Sequence, residues 1–489
     1  MFKKPHFIIL LLIICLSLFF RTYQIVERYG YAHDAELFGW IVKDIVVNHH
    51  PRLIGQLTSA PGIFIGPLFY YMLVPFFLIF KMNPVGALVP ITIIGVLTTL
   101  SYFVVFSKLF NKHTGLIIAF LHAILLTWVQ FDRKIVPSTP TNLWMVWYFY
   151  TIIQIARGNF FVLPFLGILI GLVWHIHIAL LPTLAAIPFS FIVSKKLPKI
   201  KEVGLFLLSL FISNLPLFIF EIRHSFSQTK ALIDNFITPH DAKSGGEKLI
   251  YMINFSSKNI SNLFLSPYTL SDILRPLFVL LIILFAVLLI YKKIISKKEV
   301  IPSVALLLGV FGFFTLSSSP VSEYYLYSME IIFVGILSLF LSFIWKNNSG
   351  KVFVVLFLSV LLIRNLYHFT TDYIYKKDYQ ERKSIVEYIT TDAKQKGFPC
   401  LAVSYITSIG ENTGFRYFFF LKNQQLIHPT LGVPVYNIVL PDELSKEVKI
   451  KFGHIGVIPP KDSFSSKQLQ IACSQPNSNL TDPMFGYVD

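Results

Sequence analysis

Charge is scarce in this chain: Asp, Glu, Lys and Arg make up only 14% of its 489 residues, against roughly a quarter in a soluble protein. With 54% hydrophobic residues and a mean hydropathy of +0.65, that scarcity excludes a water-filled exterior for most of the chain. Cysteine is scarcer still. Cys15, Cys400 and Cys473 have no metal-ligand spacing and make no disulfide framework, although Cys400 and Cys473 both fall in the polar tail, where an oxidising compartment could sustain a bridge. There is no low-complexity tract and no internal repeat, which excludes solenoids and propellers. No small-x-small cleavage site follows the apolar run His6–Phe20 behind Lys3 and Lys4, so this run is expected to stay as a first helix instead of leaving as a signal peptide. Acidic residues are outnumbered 26 to 42, giving a net charge of +16. That excess suits an anionic lipid or substrate, and cytoplasmic Lys clusters account for it equally. Nucleic acid is not among the expected partners.

What the chain has is apolar blocks, near 7–21, 63–81, 86–107, 114–130, 141–156, 160–175, 178–194, 204–221, 275–294, 301–317, 324–345 and 351–366. Most approach the length of about 20 residues that spans a bilayer as a helix. Basic residues stay on the cytoplasmic side of short loops, so Lys108/Lys112, Arg157, Lys195/Lys196, Lys292/Lys293 and Lys346/Lys351 should all lie inside. If 63–81 and 86–107 both crossed, Lys108 and every later cluster would invert. The segment 63–81 is the one expected not to cross, since Pro67 and Pro75 interrupt it and Gly62 and Gly66 loosen its start. It becomes a broken, shallow or re-entrant element, and about eleven crossings remain.

The expected fold is therefore mainly α: a polytopic helical membrane domain over 1–366, with outer loops at 21–82 and 222–274, and a small extracytoplasmic α/β domain over 367–489. In that tail a helical opening at Asp378–Lys396 precedes strand-like runs at Leu401–Ile406, Val433–Val439 and Ile455–Ile458. In the first outer loop, the period of Leu37, Phe38, Trp40, Ile41, Ile45 and Val46 fits an amphipathic helix lying along the interface.

Ionisable groups collect at the expected outer end. His33-Asp34-Ala35-Glu36 offers a carboxylate that could act as a general base, or two that could share a divalent cation; an acidic helix start stabilised by the helix dipole accounts for the same residues. The turn Asp132-Arg133-Lys134 through Pro140 offers a guanidinium fork and an ammonium to a phosphate, or headgroup anchoring. His175 and His177 sit at a third turn, and Phe220-Glu221-Ile222-Arg223-His224 marks a helix exit. Glu330 and Arg364 lie at similar depth and are expected to pair structurally.

The order of these motifs is more specific than any one of them. His33 to Glu36, then Gly66-Pro67-Leu68-Phe69-Tyr70-Tyr71, Asn83-Pro84, Arg133 to Pro140, His177 and Phe220 to His224 resembles the GT-C glycosyltransferases, specifically the family 39-like group of protein O-mannosyltransferases and lipid A aminoarabinose transferases. The resemblance covers roughly Met1 to His368. It implies transfer of a sugar from a polyprenyl-phosphate donor to an acceptor hydroxyl on a lipid, glycan or protein, at the outer face of the cell membrane. It implies Asp34 as general base, with Glu36 beside it, although family members place the second acid immediately after the first and here Ala35 intervenes. Arg133, Lys134, Arg223 and His224 are then expected at the donor phosphate, and His33, Tyr70, Tyr71, His177 and Glu221 around the substrates. No cofactor is assigned, and a divalent cation on Asp34 and Glu36 is left open. The rival reading is a transporter or flippase of lipid-linked glycans, for which inverted repeats and mid-membrane discontinuous helices are expected.

Overall fold

The computed structural model describes residues 4–58, 60–237, 245–317, 321–372, 374, 376–408, 410–429, 432–461 and 464–481. Its helices are α1 (Lys4–Thr22), α2 (His33–Val47), α3 (Leu68–Ile79), α4 (Leu88–Leu109), α5 (Lys112–Ile124), α6 (Leu126–Phe131), α7 (Thr141–Ala156), α8 (Leu163–Ile176), α9 (Ala186–Ser194), α10 (Ile200–Ser213) and α11 (Leu215–Arg223). They continue as α12 (Ser227–Ile237), α13 (Gly245–Leu265), α14 (Leu274–Tyr291), α15 (Lys297–Leu316), α16 (Tyr327–Ile344), α17 (Asn348–Thr371), α18 (Asp378–Gln395), α19 (Arg416–Leu421), α20 (Ser466–Ala472) and α21 (Ser478–Thr481).

Six helical segments among the described residues are long and apolar enough to cross a membrane alone, and a seventh span forms if α10 and α11, bent by 63°, count as one. The remaining expected crossings are shorter helices: Lys112–Ile124, Phe160–Ile176, Ile178–Ser194 and α7. The bundle is a polytopic helical membrane protein, with several of its crossings broken or short. The segment expected not to cross is α3, whose 12 residues rise about 18 Å, well short of the roughly 30 Å hydrocarbon core. Pro75 lies inside α3 without ending it; the helix stops at Phe80, where Lys81 and Met82 take positive φ. The stretch expected as the second long outer loop is mostly helical, with α13 burying Met252, Ile260, Leu263 and Phe264 in the bundle core.

Turns segregate by end. Arg157 reaches Leu109 O and Glu299, and Ser342 Oγ donates to Asn111 Oδ1, so the Lys-flanked turns share one end. Asp34, Ser138, His177 and Tyr324 line one cavity together, so the others share the opposite end. Ser244, within the expected outer loop 222–274, lies outside the described residues.

In the tail, strands β1 (Cys400–Thr407), β2 (Gln425–Leu426), β3 (Val435–Leu440), β4 (Ile450–Phe452) and β5 (Ile455–Ile458) form one sheet of order β2-β1-β3-β5-β4. β1 runs parallel to β2 and β3, and β5 antiparallel to β3 and β4. A parallel pair needs a crossover, and α19 lies in the one between β1 and β2. Cys400 and Cys473 are disulfide-bonded across 73 residues.

The amphipathic helix expected on the lipid surface is instead covered by protein. Phe38 of α2 meets Phe69 of α3, and Trp40 meets Tyr417 and Phe420 of the tail. One continuous apolar core runs through α2, α3 and the sheet domain.

Candidate active site

Asp34 stands in the first turn of α2, where free backbone amides favour a carboxylate, and its Oδ1 accepts a 2.9 Å hydrogen bond from Gln56 Nε2. Gln56 sits in a tight ribbon, in which Gly55 N donates to Ile65 O, Thr58 N to Ile63 O and Ile65 N to Gln56 O. The ribbon is anchored twice, by Gly66 N donating to Trp174 O in α8 and by Phe64 N donating to Gln228 Oε1 in α12.

Two cavities meet at Asp34, Lys134 and Val136. The first, of about 680 Å³, is further lined by Arg28, His33, Gln130, Arg133 and Lys376. Its four basic side chains against one carboxylate make it a place for an anion. The second, of about 400 Å³, is further lined by Gln56, Ser138, His177, Glu323, Tyr324 and Tyr327, a polar, hydroxyl-rich and mostly uncharged wall. His177 Nδ1 accepts from Ala179 N at 3.1 Å, and burial pushes its pKa down to about 4, so the ring is neutral with its proton on Nε2.

The expected residues divide. Asp34, His33, Lys134, Arg133 and His177 line these cavities. Glu36 does not: residues two apart on a helix are turned by about 200°, and Glu36, 1% exposed, accepts from Gly414 N at 2.6 Å and Tyr417 N at 2.8 Å of the tail. Burial pushes its pKa up, opposed by those two amides. It therefore cannot share a cation with Asp34, and among the described residues no group of three or more His, Cys, Asp or Glu side chains is gathered for a metal.

Arg133 lines the cavity with both of its Nη atoms already bonded to backbone. Nη1 donates to Phe20 O, and Nη2 to Tyr23 O and Gln24 O, at the end of α1; it offers an anion its charge more than its hydrogen bonds. Burial lowers its pKa to about 10, which still leaves it charged. Lys134 is exposed and makes no side-chain bond among the described residues. Arg223 and His224 line neither cavity: Arg223 is exposed, and the His224 ring stacks on Phe220 at 4.0 Å with Nδ1 at Phe220 O. Glu221 caps α12 by accepting from Gln228 N and Thr229 N. Tyr71 Oη is bonded to the backbone of Arg52, and Tyr70 is buried at 2% exposure, its pKa raised by burial.

Asp132, which opens the turn through Pro140, is 1% exposed and takes Arg21 Nε at 3.0 Å and Nη2 at 2.5 Å. This buried pair ties α1 to the turn that carries Arg133 and Lys134. Glu330 and Arg364 do not pair. Glu330 accepts from Trp128 Nε1, and Arg364 bonds Phe264 O and Asn365 Oδ1. Sequence reasoning missed Arg28, Gln56, Tyr324 and Lys376; Lys376 lies beyond the stretch that carries the resemblance, and the others belong to no motif.

No sequence-family model matches the chain, and no curated protein matches it. Among solved structures, ArnT from Cupriavidus metallidurans bound to undecaprenyl phosphate is similar over 92% of this chain and 97% of that one, with a TM-score of 0.56 at 11% identity. The archaeal oligosaccharyltransferase AglB from Archaeoglobus fulgidus, in complex with an inhibitory peptide and a dolichol-phosphate, covers 89% and 69% with a TM-score of 0.46 at 11% identity. The likeness to ArnT over nearly both whole chains defines the class: this chain has the GT-C membrane fold.

Proposed function

We propose that this chain is a membrane glycosyltransferase that moves a sugar from a polyprenyl-phosphate donor to an acceptor hydroxyl, with Asp34 as general base. The observation that carries this reading is the meeting of a cationic cavity and a polar, hydroxyl-rich cavity at Asp34. The cationic side suits the donor phosphate; ArnT, whose fold the chain shares, was solved with undecaprenyl phosphate. The hydroxyl-rich side suits an acceptor. Gln56 holds Oδ1 of Asp34 and leaves Oδ2 to take the acceptor proton as the acceptor oxygen bonds to the anomeric carbon. The bond from that carbon to the phosphate oxygen breaks, and the leaving group departs as an anion stabilised by Lys134, Arg28 and Lys376 within the field of Arg133. We place this end of the bundle on the extracytoplasmic side of the cell membrane, because the Lys-flanked turns gather at the other end.

The test is release of prenyl phosphate from a panel of prenyl-phosphate sugars by the purified protein, an outcome a flippase does not give. Asp34→Asn should lower turnover by about 10² or more while donor binding largely survives. Lys134→Met should raise the donor KM by about tenfold, the loss of one charge-assisted contact. Near-normal release by Asp34→Asn in a folded preparation would sink the assignment.

A further inference from the structure

A second amphipathic site lies away from Asp34. A groove of about 300 Å³ runs between α13, α14, α16 and α17, and Arg364 is the charged residue among apolar walls that include Phe264, Leu281, Phe285 and Phe340. None of its lining residues lines either cavity at Asp34. Phe285 and Phe340 stack at 4.0 Å in its wall, while Leu281, Phe353 and Val360 are 46%, 53% and 65% exposed, so the groove opens on the apolar outer surface of the bundle.

Arg364 sits within α17 roughly 10 Å short of its end, at 1.5 Å per residue. It lies near the outer end of the apolar block 351–366, where an arginine ordinarily snorkels toward water or pairs with a carboxylate. Here it is clamped. Nε and Nη2 donate to Asn365 Oδ1 at 2.9 and 2.7 Å, and Nη2 donates to Phe264 O at 2.7 Å. Asn365 is itself fully buried and fixed by donating to Ile124 O at 2.8 Å. Both partners are neutral, so the positive charge is undiminished, and among the described residues no carboxylate pairs with it and Nη1 makes no hydrogen bond. A fixed guanidinium with one open edge, bounding an apolar groove on the lipid-facing surface, is complementary to a lipid that carries an anion at its head.

We infer that this groove binds an anionic membrane phospholipid, its phosphate on the Nη1 edge of Arg364 and an acyl chain along Leu281, Phe285 and Phe340. The test uses the full chain purified in detergent, offered equal amounts of phosphatidylglycerol and phosphatidylcholine of matched chains, with retained lipid read by native mass spectrometry. The wild-type chain should retain phosphatidylglycerol preferentially. Arg364→Gln should reduce that preference about tenfold, the loss of a charge-assisted contact. Arg364→Lys, which keeps the charge without the fork, should keep part of it. Leu281→Trp fills the groove and spares the guanidinium, so it should lose the bound lipid as well. An unchanged preference in Arg364→Gln, or no preference in the wild type, overturns the inference. If Arg364→Gln does not survive extraction, retention of phosphatidylglycerol by Leu281→Trp does the same. Displacement of phosphatidylglycerol by equimolar prenyl phosphate would assign the groove to another occupant.

Discussion

Replacing Glu36 with Gln separates the two acids of the first loop by how each variant fails. Glu36 accepts two tail amides, Gly414 N and Tyr417 N, at 1% exposure. Gln offers one carbonyl oxygen and turns an NH2 toward the other amide, so one charge-assisted bond is lost and a buried donor is left facing a donor, at a cost of about 1.5–3 kcal/mol. Relief of the buried charge offsets part of that, because burial already holds the pKa of Glu36 above the ordinary carboxylate range. A net loss of about 2 kcal/mol is expected, which for a chain of this size is a few degrees of melting temperature. The pH dependence has a definite sign. A carboxyl whose folded pKa is raised contributes stability that is fully present below its unfolded pKa and is lost as pH rises through the folded value, so the wild-type melting point should fall in that window and the Gln variant should not share that component. Turnover at a permissive temperature should stay within about threefold of wild type, since Glu36 does not line either cavity. A Gln variant that melts normally yet loses turnover as Asp34→Asn does would refute the separation.

Three further outcomes are expected. Gly66→Ala places a Cβ 2.1 Å from His175 Nδ1, and His175 is pinned by its Nε2 contact to Ser213 O, so backbone must shift; a loss of about 2–3 kcal/mol in a melt should come with lower turnover, because the ribbon that carries Gln56 moves too. Cys400→Ser removes the link to Cys473 and should cost the tail about 2–4 kcal/mol in a denaturant titration, while the denatured, unreduced wild type should show one free thiol, Cys15, and not three. His177→Gln should flatten the fall of the melting point between about pH 6.5 and 4: burial depresses the pKa of His177 to about 4, and a depressed group contributes stability that is lost as pH falls through the folded value. An unchanged slope would place the acid lability elsewhere.

The membrane bundle was legible because long apolar blocks between Lys clusters have few other physical explanations; parity required that one block not cross, and the prolines and glycines of 63–81 singled out that segment, which forms the short α3. Tail elements were legible too, with Asp378–Gln395 helical and strands at Cys400–Thr407, Val435–Leu440 and Ile455–Ile458. Asp34 and Lys134, singled out from an acidic first-loop motif matched by the resemblance and from a charged turn, both line the cavities. What could not be read was direction. Asp34 and Glu36 look like one motif in sequence and face opposite ways on a helix, and Arg133 and Lys134 look like a pair although only Lys134 is uncommitted. Arg223 and His224 fell in a motif whose acid turned out to cap the next helix. The apolar stripe of α2 was legible as a stripe, but sequence has no signal for whether lipid or the tail covers it.

That cover bears directly on the site. A helix lying on a bilayer can roll about its axis, and a roll of about 100°, one residue's turn, would carry Asp34 out of both cavities. Glu36 prevents the roll by binding two amides of the tail on the opposite face, and Tyr417 reinforces it by packing its ring on Gly39, where a Cβ would meet it at 2.9 Å. The linker into the tail also supplies Lys376 to the cationic cavity. Among the described residues the sheet domain beyond Lys376 lines neither cavity at Asp34, yet the direction in which Asp34 points is set by what the tail holds on the other side of α2. An acid two positions beyond the proposed base thus has a positional reason to be there, and a motif with Ala35 between the two acids meets that requirement where adjacent acids, only about 100° apart, would not.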